Sequence, residues 1–440
     1  MNSEEFRMMP IGGLKSASKR SLVGGPFGSK LGRQDYVDFG VPVIRGGNLP
    51  TGQVFSFDDF VFVSEAKADE LRSNLAYPGD VVVTQRGTLG QVGLIPADSP
   101  FPRFVISQSQ MKLTVDESIA SARYVYYALS APNSVERLLN HALVAGVPHI
   151  NLGIFSEFEI PVPSLETQVK IAAMLSHYDQ LIENNARRIE ILEEMAQAIY
   201  REWFVEFRYP GHEEVPLVDS ELGPIPEGWT VRRLGECVAA EKGLSYKGEF
   251  LTDEGTPMAN LKCFDRTGGF RRSGSKPYSG PFKVQHSIVP GDLIVANTDL
   301  TQAGTVIGSP ALVPHRGFEE GGLISHHLFA VRFSASSVDK HYLYRALQNE
   351  RFRSYARGCA SGTTVLGFRA SDFLSFPLVV PDLEVQAAFS SIVSDLYSLS
   401  ERLSELSENL SETRDLLLPK LISGEIDVSE LDIELADPLL

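Results

Sequence analysis

Cysteine is scarce: Cys237, Cys263 and Cys359 are the three in 440 residues, with no C-x-x-C spacing. An odd, scattered set excludes a disulfide framework, offers no zinc pattern, and fits unpaired thiols in a reducing compartment. Long apolar runs are missing as well, none approaching the ~20 residues that span a bilayer. The chain opens Met1-Asn2-Ser3-Glu4-Glu5, without the basic flank and apolar stretch of a secretory signal. A cytoplasmic protein with no membrane partner is expected. The usual signatures of catalysis are also absent: no G-x-x-x-x-G-K-[ST], no H-E-x-x-H, no G-x-S-x-G and no Asn-Pro-Pro-Tyr. Glycine pairs such as Gly24-Gly25 and Gly46-Gly47 read as turns. His326-His327, near His315 and His341, suit no standard metal site and read as surface or groove-lining residues. No catalysis, cofactor or metal is expected on this chain.

The net charge of −16 argues, taken whole, against a nucleic-acid partner. Its distribution removes the objection. Residues 1–160 carry 14 basic and 16 acidic groups, 161–207 carry 4 and 8, 208–376 carry 19 and 18, and 377–440 carry 3 and 14. The acid lies mainly at the C-terminal end, and the remainder is close to neutral.

What is present is repetition. Tyr77-Pro78-Gly79-Asp80-Val81-Val82-Val83 returns as Val289-Pro290-Gly291-Asp292-Leu293-Ile294-Val295, and Pro163-Ser164-Leu165-Glu166-Thr167-Gln168 as Pro381-Asp382-Leu383-Glu384-Val385-Gln386. The offsets, 212 and 218 residues, are near half the chain, which is far too long for a solenoid repeat and implies a tandem duplication with a pseudo-two-fold relation. Between these anchors, Gly40-Val41-Pro42 and Asn48 match Gly255-Thr256-Pro257 and Asn260, while Gly90 and Pro96 fall opposite Gly304 and Pro310. Thr84-Gln85-Arg86-Gly87 and Ala296-Asn297-Thr298-Asp299 do not match. The scaffold repeats and certain loops diverge.

Short apolar runs punctuated by Gly and Pro (41–45, 61–64, 80–85, 91–95, 110–115) predict strands. Helical spacing follows over 120–129 and 133–141, and again over 338–348 and 350–357. Each copy is therefore α+β. From Glu166 to about Phe207 a heptad pattern sets in, with Leu175, Ile182, Ile189 and Trp203 at one seam position and Leu192 and Ile199 at the other. The second copy repeats it with Phe389, Leu396, Leu403 and Leu410 against Leu399 and Leu406. Helices of about 40 residues span roughly 60 Å. The expected architecture is two tandem, pseudo-two-fold-related domains separated by two long antiparallel coiled-coil helices, with Asn185 a candidate for fixing register. Its divisions are a first domain over 1–164, a helix over 165–208, a linker over 209–228, a second domain over 229–382, a helix over 383–423 and an acidic tail over 424–440. Helices packed only on their own domains are the simpler alternative.

These residues carry a resemblance. Pro163 to Gln168 running on to Ile182-Glu183-Asn184-Asn185, Trp203 to Phe207, and Leu418-Pro419-Lys420-Leu421-Ile422-Ser423-Gly424-Glu425-Ile426 are similar to the specificity subunit of type I restriction-modification enzymes. Gly25 to Leu31, Pro42 to Leu49 and Gly223-Pro224-Ile225-Pro226-Glu227-Gly228-Trp229 resemble the openings of that family's target-recognition domains. The resemblance implies a non-enzymatic reader of a bipartite site in double-stranded DNA. It further implies two methyltransferase subunits carrying S-adenosylmethionine, and restriction subunits, the motor-nuclease part, using ATP and Mg. The rival reading is a duplicated coiled-coil adaptor for proteins.

Base reading needs Arg or Lys for guanine and Asn or Gln for adenine. The candidates in the first copy are Arg45, Asn48, Gln85, Arg86, Thr88, Arg103, Gln108 and Gln110. Those in the second are Asn260, Lys262, Arg266, Arg271, Arg272, Asn297, Thr301, His326 and His327. Asn48 and Asn260 read equally well as structural turn residues, and Arg86 as a solvated or phosphate-facing arginine.

Overall fold

The computed structural model describes residues 6–142, 148–264, 269–334, 338–363 and 365–431. The chain forms two compact units, one from Met1–Asn185 with Leu406–Leu440 and one from Ala186–Glu405.

In the first unit an antiparallel sheet runs Leu22–Gly24, Gln110–Leu113, Val81–Thr84, Val92–Leu94. A second, mixed sheet runs Tyr36–Val37, Val61–Val63, Val41–Ile44, Phe104–Ile106, Leu75–Ala76, with Val41–Ile44 parallel to Phe104–Ile106. Val81–Thr84 is buried on both faces, which is why it reads as an unbroken apolar run rather than an alternating one. Helices Ala122–Ser130 and Pro132–Asn140 bury Tyr124, Val125, Leu129 and Leu138 in the same core as this sheet.

The second unit repeats the plan: Val238–Lys242, Leu328–Phe333, Leu293–Ala296, Pro310–Leu312 in one sheet, and a mixed sheet in which Leu251–Ala259 lies parallel to Gly322–Ile324. Its helical pair is Lys340–Gln348 and Glu350–Cys359. The segment expected as a linker contains a small hairpin, Leu217–Val218 with Ile225–Pro226, and Tyr209 stacks on Trp229 at 5.2 Å.

The repeated Pro-Gly-Asp is a turn with a built-in closure. Gly79 and Gly291 take φ of +88° and +82°, a region that strains any side chain. Asp80 accepts the N–H of Tyr77 at 2.8 Å and Asp292 that of Val289 at 3.1 Å. A cation from the adjacent strand completes each: Lys112 at 2.9 Å from Asp80, Arg332 at 2.9 Å from Asp292.

Backbone hydrogen bonds set the register between the copies and correct the sequence alignment. Thr84 N–H bonds Gln91 C=O, and Ala296 N–H bonds Ser309 C=O. Ile95 N–H bonds Asp80 C=O, and Val313 N–H bonds Asp292 C=O. Gly90 and Pro96 thus correspond to Gly308 and Pro314, not to Gly304 and Pro310. The second copy holds six extra residues in this loop, 297–308 against 85–90, so the offset grows from 212 to 218 across it. Asn48 and Asn260 are not equivalent either. Arg45 N–H is received by Asn48 and Asn260 N–H by Cys263, which puts Asn260 in the place of Arg45 and Cys263 in that of Asn48.

The long helices are Leu165–Phe204 and Leu383–Ser423. Within the first unit they run antiparallel: Ile171, Ala172 and Leu175 share a core with Leu418, Leu421 and Ile422, and Asp179 pairs with Arg414 at 2.5 Å. Within the second unit Ala196, Tyr200 and Phe204 share a core with Phe389 and Val393. On the first helix Leu175 is buried and Ile182, Ile189, Leu192, Ile199 and Trp203 are half-buried, and Asn185 is buried with them. On the second helix Phe389 and Leu403 are buried and Leu396 and Leu410 half-buried, but Leu399 (40 % exposed) and Leu406 (48 %) point outward. The companion seam position lies four residues after the first, not three, and is filled by Val393, Ser400, Ser407, Arg414 and Leu421. Ser and Arg at the true position and leucines beside it reversed the hydrophobic pattern there.

Each long helix is locked at its start by the glutamine of the second repeated motif. Gln168 Oε1 accepts the N–H of Ser121 at 3.0 Å, and its Nε2 donates to Pro163 C=O at 3.0 Å and Ile119 C=O at 3.3 Å. Gln386 Oε1 accepts the N–H of Asp339 at 2.7 Å, and its Nε2 donates to Pro381 C=O at 2.7 Å. Ser121 and Asp339 are the N-cap residues of the first helix of each pair. Because the amide is buried, Gln386→Leu leaves a donor and an acceptor unmet. A loss of about 1–3 kcal/mol in unfolding free energy is expected from urea denaturation, and an unchanged midpoint would refute the lock.

Candidate nucleic-acid interface

In the first unit four segments converge where strand Val81–Thr84 ends. Gln85 N–H bonds Ser109 C=O at 2.8 Å, Ile150 N–H bonds Gln85 C=O at 3.0 Å, and Gly25 N–H bonds Gln110 C=O at 2.8 Å. Gly25 is required: a Cβ there would lie 1.9 Å from Ser107 O. Side chains extend the network, Gln85 Nε2 donating to Gln108 C=O at 2.8 Å and Gln108 Nε2 to Gly28 C=O and, at 3.1 Å, to Leu31 C=O. From this frame the loop 86–90 leaves with Arg86 and Thr88 exposed and with Gly87 and Gly90 at positive φ.

The second unit has the same frame with other side chains on it. Asn297 N–H bonds His327 C=O at 2.9 Å, Phe368 N–H bonds Asn297 C=O at 2.8 Å, and Gly243 N–H bonds Leu328 C=O at 3.1 Å. Asn297 therefore stands for Gln85, His326 for Gln108 and His327 for Ser109. The longer loop is braced by buried Asp299, which accepts Thr301 N–H and Val306 N–H, both at 2.7 Å, and Thr301 Oγ1 at 2.8 Å. Burial alone would raise the Asp299 carboxyl, but these donors outweigh it and hold it below the usual range. Beside the loop, Lys262, Arg271, Phe264 and Leu300 line a groove of about 420 Å³.

The sequence-predicted residues thus fall into two groups. Gln85, Arg86, Thr88 and Gln108 come together in the first unit, and Asn297, Thr301, His326 and His327 sit on the equivalent frame in the second. Most of the others are engaged elsewhere, whereas Lys262 is exposed in the groove beside the second unit's loop. Asn48 is buried, accepting Arg45 N–H at 2.9 Å and donating to Asp58 C=O at 2.9 Å, while the Arg45 guanidinium donates to Asp59 C=O. Arg103 pairs with Glu65 and, at 2.8 Å, with Asp69. Gln110 is fully buried within its strand. Asn260 donates to Gly274 C=O at 2.7 Å, Arg271 to Lys262 C=O at 2.9 Å, and Arg272 to Ser404 Oγ at 3.0 Å. Arg266 lies outside the described residues. Sequence reasoning missed the segment Gly25–Leu31 and the 149–151 strip as parts of this face. The signal was the glycine pair Gly24-Gly25, taken for a simple turn.

The imidazoles of His326 and His327 lie 3.8 Å apart, and His327 Nδ1 is 2.8 Å from Thr298 Oγ1. Burial, then the charge of Lys242, holds His326 below its usual value; burial, His326 and Lys242 do so for His327. His286 and His341 are likewise held down, chiefly by burial. The unfolded chain therefore binds more protons than the native one below about pH 6.5, so stability present above that pH is lost as pH falls through it. A lower urea midpoint at pH 5.5 than at 7.5 is expected, with a smaller difference in the H326N/H327N variant. Equal midpoints at the two pH values would contradict the assignment.

The family described as type I restriction modification DNA specificity domain matches residues 35–194. The chain is 26% identical over 403 residues to the type I restriction enzyme MjaIX specificity subunit of Methanocaldococcus jannaschii, with 88% of each chain covered. It is 22% identical over 379 residues to the type I restriction enzyme HindI specificity subunit of Haemophilus influenzae, covering 75% of this chain and 83% of that one. In fold it is similar to the type I restriction-modification system S subunit from M. genitalium, with a TM-score of 0.56 at 18% identity over 96% of this chain and 97% of that one. In sequence the chain is similar to type I restriction enzyme specificity subunits along most of its length, and in fold to a type I restriction-modification S subunit.

Proposed function

We propose that this chain is the non-catalytic, DNA-reading subunit of a type I restriction-modification complex, each unit facing one half of a bipartite target in double-stranded DNA. The observation that carries it is the constant frame with unlike loops, Gln85, Arg86 and Gln108 on one unit against Asn297, His326 and a loop six residues longer on the other. Two half-sites of different sequence require that combination. Methyltransferase subunits, two by the resemblance, bring S-adenosylmethionine chemistry, and restriction subunits bring the ATP- and Mg-dependent steps, all in the cytoplasm. No helix among the described residues is long and apolar enough to cross a membrane. The strongly acidic C-terminal stretch repels a phosphate backbone, which favours protein partners there. The length of the long helices sets the number of base pairs between half-sites.

Among the predicted base readers on the converging segments, Arg86, Thr88 and Gln108 on the first unit and Thr301 on the second are exposed, and the His326–His327 pair is half-buried. Arg86→Ala is expected to relax recognition of one half-site, costing roughly 1–3 kcal/mol there, and sequencing of methylated bases in cells carrying the complex reads it directly. Loss of both half-sites by a folded variant would show that the units do not read independently. Deleting seven residues from each long helix is expected to shorten the gap by roughly 10 Å, about 3 base pairs. An unchanged gap in the same methylation survey would dismiss the ruler.

A further inference from the structure

Among the side chains of the converging segments in the first unit, Phe27 has no role in the frame that surrounds it. It is 77 % exposed, between buried Pro26 and Gly28 at φ +64°. A single exposed apolar side chain is ordinary on a protein surface. This one is distinguished by how it is held and where. On its N-terminal side Gly25 is pressed against Ser107 and bonded to Gln110 C=O at 2.8 Å. On its C-terminal side Gln108 Nε2 donates to both Gly28 C=O and Leu31 C=O, and the Gln108 C=O accepts from Gln85 Nε2. The chain is thus pinned on both flanks of one ring, by the same residues that present Arg86. Lys30 and Arg33, both exposed, follow within six residues.

The second unit makes the comparison informative. The matching segment is fastened at the matching glycine, Gly243 N–H to Leu328 C=O, and beyond it by His326 N–H to Leu244 C=O, but the residue in the place of Phe27 is the small, polar Ser245. A large exposed apolar side chain is found there on the extra residues of the longer loop instead: Leu300, 65 % exposed, next to braced Asp299. Each face shows a large apolar side chain held out from a rigid frame, and the two come from different segments.

We infer that Phe27 is a wedge that enters a base step in the half-site read by the first unit. This rests on the DNA-reading function proposed above and adds a residue and a mode of reading to it. Apolar side chains inserted between base pairs unstack one step and bend the duplex, and the cost depends on the sequence being unstacked, lowest at flexible pyrimidine–purine steps. A wedge therefore discriminates between sequences without a hydrogen bond. It suits a region whose net charge is near neutral, since it draws on desolvation of the ring rather than on charge.

The test uses the assembled complex with its methyltransferase subunits and a duplex bearing the sequence found methylated in cells that express it, with 2-aminopurine placed at successive steps of each half-site. Wild type is expected to brighten the probe at one step of one half-site. F27A is expected to abolish that signal and weaken binding roughly tenfold or more, while F27L, still a wedge, retains much of both. Because the ring is exposed, neither change threatens folding. Equal binding and equal fluorescence for F27A and wild type would overturn the inference. So would a loss with F27A that is reproduced in wild type by replacing thymine with deoxyuridine, since that identifies a methyl contact. If wild type fails to prefer this duplex over a scrambled one, the reading function itself is wrong and the wedge falls with it.

Discussion

A buried carboxamide at the start of each long helix holds the two kinds of structure in this chain together. Gln168 and Gln386 each face a backbone N–H on one side and a prolyl C=O on the other. The N–H belongs to the cap of the helical layer and the C=O to the end of the short strand that leads into the long helix. A carboxamide serves both because it accepts and donates at once; a carboxylate could not donate and a leucine could do neither. The direction in which a 40-residue helix leaves its globular layer is therefore fixed by bonds within its first turn. Small errors at that point would be magnified along the helix, so burial of the amide matters more than its few bonds suggest. Both copies keep it, together with the Pro-Gly-Asp turn closed by Asp80 or Asp292, and everything else is built around these two devices.

What varies is equally localised. Backbone bonds from Gln85 and Asn297 to the same neighbouring turn show that the frame is held by main-chain groups, which any residue supplies. Side chains at these positions are then free to differ without cost to the fold. The six-residue difference between loops 85–90 and 297–308 is tolerated for the same reason, because its ends are fastened identically and Asp299 folds the extra length back on itself. Stability and recognition are thus assigned to different atoms of the same segments.

The duplication, the α+β class and the two long helices were legible because they rest on long patterns and on turn residues with no substitute, such as Gly79 and Gly291. Register was less legible. Asn48 and Asn260 look equivalent in sequence, yet the hydrogen-bond partner of the turn is Asn48 in one copy and Cys263 in the other. Gly90 was matched to Gly304 because a loop insertion cannot be seen when both loops contain glycine. The second seam failed for a different reason. Ser400, Ser407 and Arg414 occupy inward positions that a hydrophobic search assigns to polar surface, while Leu399 and Leu406 are apolar and outward. Arg414 is inward because Asp179 awaits it, a long-range pairing that no local pattern encodes. Arg103 was read as a DNA contact on residue type alone, although two acids on helix Glu65–Glu70 claim it.

Charge points to how such a surface must work. Residues 1–160 and 208–376 are nearly neutral, and several of their arginines are already engaged: Arg103 with two carboxylates, Arg332 with Glu241 and Asp292, Arg271 with a backbone carbonyl. With basic and acidic groups nearly balanced in each region, long-range attraction to a phosphate backbone is weak, and phosphate contacts are what give binding its salt-dependent affinity. A reader of this kind gains little from non-specific attraction, so its grip on wrong sequences is weak from the outset. Discrimination is then left to base edges and to the cost of deforming the duplex, terms that act at short range and only on the right sequence. Low net charge on the reading units is in that sense a contribution to specificity.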